Sequence, residues 1–197
     1  LTLGALIGNF AFAKQNSGQL TLNTASARTS GAVTLTAGTM KLGSASALGT
    51  TSVPLQFNGG TLDLAIDATV NAYNTTVGGT VTIASDKATA ASAGTTHTLG
   101  TLSIGGQSLA ITGGSNVTTG TAGISFGATT FAGAPTFTIT NPAGGGVTQL
   151  SVGAVNNGAN LATINGDGSI IQTGIWGNGA GGITYSGTGT LTLSQAN

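Results

Sequence analysis

The amino-acid sequence predicts an all-β chain, most simply a parallel β-helix or other β-solenoid, with a β-sandwich or jelly roll as the alternative. Three observations carry this. Short runs with an apolar residue at every second position recur along all 197 residues, which is the period of a strand with one buried face. Clusters of Gly and Asn separate the runs and supply residues that tolerate positive φ. No segment carries apolar residues at i, i+3, i+4 and i+7 over successive turns, so no amphipathic helix is predicted.

In chain order the alternation reads Leu20 and Leu22, Val33 and Leu35, Met40 and Leu42, Val53, Leu55 and Phe57, then Leu62, Leu64 and Ile66. It continues with Val81 and Ile83, Leu102 and Ile104, Leu109 and Ile111, Ile124 and Phe126, Phe137 and Ile139, Leu150 and Val152, Ile183 and Tyr185, and Leu191 and Leu193. Between them stand residues such as Thr21, Thr34, Lys41, Thr82, Ser103, Ser125, Thr138 and Thr192, which suit a solvated pleated face. Residues 1–13 read as strand as well. Their Ala11-Phe12-Ala13 imitates a signal-peptidase site, but no basic segment precedes it. Turns fall at Asn58-Gly59-Gly60, Gly78-Gly79, Gly105-Gly106, Gly113-Gly114, Gly144-Gly145-Gly146, Asn157-Gly158 and Asn165-Gly166-Asp167-Gly168. The Ala-rich stretch 85–93 allows at most one short helical turn.

Strand number favours the solenoid. About 20 short strands exceed one ordinary sandwich, whereas a solenoid adds strands indefinitely because each coil touches only its neighbours. With roughly 20 residues per coil and coils about 4.8 Å apart, about nine or ten coils make a rod on the order of 45 Å long. Residues 1–197 are read as one β-rich repeat domain.

Composition excludes much chemistry. There are 35 Gly, about as many Thr, four Lys plus Arg, four Asp plus Glu, one His and no Cys, and Glu does not occur. Thiol chemistry, zinc clusters and a redundant Ser-His-Asp triad lack material. A formal net charge of zero gives no basic face for nucleic acid or acidic lipid. No apolar run reaches the roughly 20 residues of a membrane-spanning helix. Residue 1 is Leu, which implies a chain processed or cut from a longer one.

The segment Ser17-Gly18-Gln19-Leu20-Thr21-Leu22-Asn23 returns near the end as Ser186-Gly187-Thr188-Gly189-Thr190-Leu191-Thr192-Leu193-Ser194, which predicts one period of a tandem array. Residues 30–49, from Ser30-Gly31-Ala32-Val33-Thr34-Leu35 to Ala47-Leu48-Gly49, and then Phe57-Asn58-Gly59-Gly60-Thr61-Leu62-Asp63-Leu64, resemble the strand repeat of bacterial autotransporter passenger domains. Gly187 to Asn197 is similar to the segment that opens such a repeat. The motifs lie at 17–64 and 186–197, and the match covers about a third of the chain. The resemblance implies a right-handed parallel β-helix on a bacterial exterior, acting as stalk, adhesin or sheath.

Chemical sites are weighed one by one. Asp63 and Asp67 stand about 13 Å apart if both lie on one strand, too far for a glycosidase pair, and read as solvated charges. Asn165-Gly166-Asp167-Gly168 matches one turn of a calcium-binding nonapeptide, but the motif occurs once and reads as a plain turn. His97 has no Cys, Glu or second His to share a metal and reads as a surface or loop histidine. Trp176 offers a ring for a sugar or a filler for the core. Ser125 between glycines lacks a base. Asn74-Thr75-Thr76 and Asn116-Val117-Thr118 fit the glycosylation sequon and indicate surface loops. Rows such as Thr136, Thr138 and Thr140 make a flat hydroxyl face.

No catalytic residue, cofactor or metal is expected. The leading expectation is a structural element of an extracellular bacterial surface protein, either a rod or a self-assembling filament subunit, with copies of itself as partner. An adhesin that recognises a glycan or host surface is the alternative, and a polysaccharide-active enzyme ranks last. Both chain ends lack the charges and prolines that normally protect strand edges, so Leu1, Leu3, Phe10 and Phe12 at one end, with Leu191 and Leu193 at the other, are the candidate assembly residues.

Overall fold

The computed structural model describes residues 1–177 and 179–196, and the chain winds as a parallel β-solenoid. The described residues form 23 strands and no helix. Every pairing between strands is parallel. That removes the sandwich and jelly roll, whose sheets are antiparallel.

The first face has nine strands, one per coil: Thr2–Leu3, Gln19–Leu22, Thr39–Leu42, Thr61–Ala65, Val81–Asp86, Ser108–Gly113, Thr136–Thr140, Ala162–Gly166 and Ile183–Tyr185. The second face stacks Phe12–Lys14, Val33–Leu35, Leu55–Phe57, Thr75–Val77, Leu102–Ile104, Thr129–Phe131 and Val155–Asn156. The third begins only in the fifth coil, with Thr96–Thr98, Thr121–Phe126, Val147–Val152, Ser169–Gln172 and Thr190–Thr192. A small pair, Ser92–Ala93 on Val117–Thr119, bridges the first and third faces in the fifth and sixth coils. Coil length follows from this change of shape. Thr2 pairs with Thr21, 19 residues on, and Thr39 with Thr61, 22 on. Val81 pairs with Leu109, 28 residues on.

Parallel register aligns like with like. Leu20, Met40, Leu62, Ile83, Ile111 and Ile139 form one inward column down the first face, and all are buried. Each such side chain contributes about 2 kcal/mol of transfer free energy. Outward, Thr34, Gln56, Thr76, Ser103 and Thr130 form a neutral polar file on the second face. Corners are tight: a Cβ at Gly166, whose φ is +101°, would stand 2.0 Å from the Ile139 carbonyl oxygen.

In the first four coils side chains replace the missing third sheet. The Leu6 amide donates to Ser26 Oγ at 2.8 Å, and Ser26 Oγ donates to the Ala47 carbonyl at 2.7 Å. Asn71 Nδ2 and the Tyr73 hydroxyl both donate to the Gly49 carbonyl, at 2.8 and 3.0 Å. This corrects the reading of residues 1–13 as continuous strand. Only Thr2–Leu3 and Phe12–Lys14 are extended and paired, because the stretch between rounds the third side, with Gly8 at φ +89°. Stretch 85–93 holds no helical turn, within the expectation of at most one; strand ends occupy both of its sides.

The likeness between 17–23 and 186–194 is not a likeness of place. Gln19–Leu22 lies in the nine-stranded sheet and Thr190–Thr192 in the five-stranded one, because the Gly-rich segment before each rounds a different corner.

Candidate functional site

The solenoid's ends are its least finished surfaces. At the start, Thr2–Leu3 and Phe12–Lys14 are the outermost strands of their sheets, each paired on one side only. Leu1, Leu3, Phe12 and Leu20 surround a hollow of about 360 Å³. Leu1 is 81% exposed, while Leu3 and Phe12 rest partly buried against the core. Phe10 stands apart, 51% exposed on the third side.

At the far end, Ile183–Tyr185 and Thr190–Thr192 are the outermost strands, and the second face closes with a single bridge from Val155 to Trp176. Phe131, Val155, Trp176, Ile183 and Leu193 line a hollow of about 270 Å³. Leu193 is 45% exposed, whereas Leu191 packs partly buried on the core. Of the six candidate assembly residues, the structure therefore gathers Leu1, Leu3 and Phe12 at one end and puts Leu193 at the other, with Phe10 and Leu191 outside either hollow. Ile183 and Trp176 complete the far hollow and were not among the candidates. Asn197 lies outside the described residues.

Neither hollow presents a charged side chain to solvent, because the charges nearby are consumed internally. Lys14 is buried in the inner column of Leu35 and Phe57. Its Nζ donates to the carbonyls of Gln15, Asn16 and Ala37 at 2.8, 2.7 and 3.0 Å. Arg28 is 1% exposed. Its Nε donates to the Gly8 carbonyl at 3.1 Å, and its Nη2 donates to the carbonyls of Phe10 and, at 2.9 Å, Gly31. Burial lowers the Arg28 pKa from the usual guanidinium value. Both cations staple loops, a role with no sequence signature beyond their being charges in an almost chargeless chain.

The aspartates are divided among separate partners. Asp63 pairs with Lys41 at 3.3 Å across adjacent rungs, and Asp67 with Lys87 at 3.3 Å. Asp67 lies past the end of strand Thr61–Ala65. Burial raises the Asp63 pKa, against the pull of Lys41. Asp167 binds Asn141 twice, accepting the backbone amide and the side-chain amide at 2.9 Å each; it fastens two coils together. No group of three or more His, Cys, Asp or Glu gathers among the described residues.

His97 corrects the expectation of a surface or loop position. It is buried in strand Thr96–Thr98, with Nε2 3.3 Å from the Asp86 carbonyl. The reason is register: Thr96 and Thr98 face solvent, so the residue between them faces inward. Burial holds its pKa below the ordinary imidazole value, outweighing the opposite effect of the Asp86 carbonyl. Beside it Asp86 Oδ1 accepts the amides of Lys87 and Asn116 at 2.8 and 2.9 Å, and Asn116 Nδ2 donates to the Lys87 carbonyl at 2.7 Å. Asn74 is engaged too, accepting the Thr101 amide at 3.0 Å. Trp176 is 6% exposed and packs edge-on against Phe131, ring centres 6.2 Å apart, so it fills the core and offers no open face to a sugar.

Comparison with family models, curated proteins and solved structures found no match. Among the described residues no helix is long and apolar enough to cross a membrane.

Proposed function

We propose that this chain is a structural, non-enzymatic element of an extracellular bacterial surface protein: a β-solenoid rod whose ends add to copies of itself. The carrying observation is in the first and last described coils, each of which has one-sided strands and an apolar hollow with no exposed charged side chain beside it. Natural sheets normally block such edges with charges, Pro or a covering element. Strand direction is uniform along the whole first face, so one copy's Ile183–Tyr185 edge meets the next copy's Thr2–Leu3 edge as a parallel rung. Such a contact is head-to-tail and does not close on itself, which gives filaments rather than dimers. The bacterial exterior rests on the resemblance to autotransporter passenger repeats carried by residues 17–64.

Sedimentation velocity and electron microscopy of the chain beside Leu1→Lys and Leu193→Lys test this. Both residues are exposed, so the fold should survive. Concentration-dependent rods in the parent chain and single particles in either variant are expected. A parent chain that stays monomeric throughout, or variants that assemble equally well, would overturn self-association.

A further inference from the structure

The fourth and fifth coils meet where the solenoid changes from two strand faces to three. Residues 87–98 form a strap across the new side. Toward the next coil the strap is held by backbone pairing, with Thr96, His97 and Thr98 in register with Gly123, Ile124 and Ser125. Toward the preceding coil there is no third-face strand to pair with. Side chains do that work: the Thr98 amide donates to Thr69 Oγ1 at 2.8 Å, the Ala88 amide donates to Asp67 Oδ1 at 3.2 Å, and Lys87 pairs with Asp67.

His97 lies under this junction as the first inward residue of the third face, fully buried. Its Nε2 faces the Asp86 carbonyl, and its Nδ1 makes no hydrogen bond; burial disfavours the charged ring, and outweighs the carbonyls of Asp86 and Leu64, which both favour it. The charged groups acting on the ring are Asp86 and Lys87, both on its own coil; Lys87 in turn pairs with Asp67 of the preceding coil. The next coil sets apolar Ile124 against it.

We propose that this junction is an acid-sensitive latch, in which protonation of His97 releases the strap 87–98 from loop 66–70 while the other coils stay wound. With the strap closed, a proton on Nδ1 places an imidazolium in the core with one N–H unsatisfied. With the strap open, the ring meets water and takes a proton at its ordinary value of about 6.5. Neutral His97 therefore favours the closed form above that pH, and the preference is lost progressively as pH falls below it. Release is local because the bonds to loop 66–70 are few and come from side chains, whereas the first and second faces keep their ladders across the same junction. Opening bares the edge of Thr96–Thr98, an unpaired strand able to accept another.

Amide exchange measured by NMR, expressed as protection relative to the intrinsic rate at each pH, reads the latch directly. From pH 7.5 to 5, protection of the Thr98 and Ala88 amides should fall about tenfold or more, one decade per pH unit being the ceiling for one proton. The Ile111 amide should hold, and His97→Phe should flatten the dependence. A Thr98 profile unchanged over that range, a parallel loss at Ile111, or the same pH dependence in His97→Phe would each overturn the proposal. If His97→Phe does not fold, the parent chain still decides: Thr98 protection must begin to fall near pH 6.5, at no more than one decade per pH unit, while the His97 ring signals titrate below that onset; ring signals that titrate at the ordinary imidazole value while Thr98 stays protected, or a loss of protection that begins well away from pH 6.5, overturn it.

Discussion

The ring of Phe10 lies 5.4 Å from the guanidinium carbon of Arg28, and the same guanidinium, with no carboxylate partner among the described residues, donates to the Phe10 carbonyl. A buried cation held by carbonyls and a ring pins the first coil's third side to the second coil. Removing it orphans several acceptors at once. Arg28→Met should lower the free energy of unfolding by about 3 kcal/mol in denaturant titrations, since unsatisfied buried groups cost about 1–3 kcal/mol each and some rehydrate. Arg28→Lys should recover only part, because a point charge cannot span the carbonyls of Gly8, Phe10 and Gly31. Equal stability of Arg28→Met and the parent chain would contradict the staple.

The inward column gives a second contrast. Leu64 is fully buried and stacks between Leu42 and Ser85. Leu64→Asp should cost about 4 kcal/mol through an unpaired buried charge, whereas Thr61→Ser, on the outward file, should stay within about 0.5 kcal/mol. Comparable melting temperatures for the two variants would show the register to be shifted.

That register was legible in the sequence because a strand buried on one face must alternate, and Leu62 and Leu64 do. The third side was not. In the first four coils it is loop, and its stability resides in single bonds such as Leu6 to Ser26 and Asn71 to Gly49, which leave no period to read. His97 was misplaced by residue type although Thr96-His97-Thr98 carries the correct alternation. The apolar character of the ends is legible too, yet Trp176 meets Phe131 and Val155 only through the coiling, at separations no local pattern encodes.

Asp63 sets up a pH contrast. Burial holds its carboxyl above the ordinary value of 3.8 despite Lys41 at 3.3 Å. A raised native pKa means the folded chain keeps a proton that the unfolded chain has released. The group therefore supports the fold most fully in acid and withdraws that support as pH rises through the native value. Asp63→Asn cannot ionise, so the difference in melting temperature between variant and parent should grow in the variant's favour from about pH 4 upward. At neutral pH the net change should be under about 1 kcal/mol, because the pair with Lys41 is lost as well. A variant whose deficit grows with pH would show the ion pair outweighing burial.

Trypsin has four basic residues to attack. Lys14 and Arg28 are buried, and Lys41 sits mid-strand between paired neighbours. Lys87 precedes an exposed, irregular stretch at 88–91, where the backbone can open locally. Limited digestion should cut first after Lys87 and leave pieces 1–87 and 88–197, identifiable by mass. First cleavage at Lys41 would mean that the first face opens before the strap does.

The single Trp reports on the far end. Trp176 lines the hollow there with Ile183 and Leu193, so a second copy seated on that end removes the remaining water from its surroundings. Its emission should shift to shorter wavelength as protein concentration rises, in step with the sedimentation coefficient. Leu1→Lys changes the opposite end of the molecule and touches nothing near Trp176 in its own chain, since the two lie at the first and eighth coils. It should nonetheless abolish the shift, because the lysine would have to surrender its hydration to enter an apolar contact. Head-to-tail stacking alone links these two positions; a shift that persists in Leu1→Lys would place the self-contact elsewhere on the solenoid.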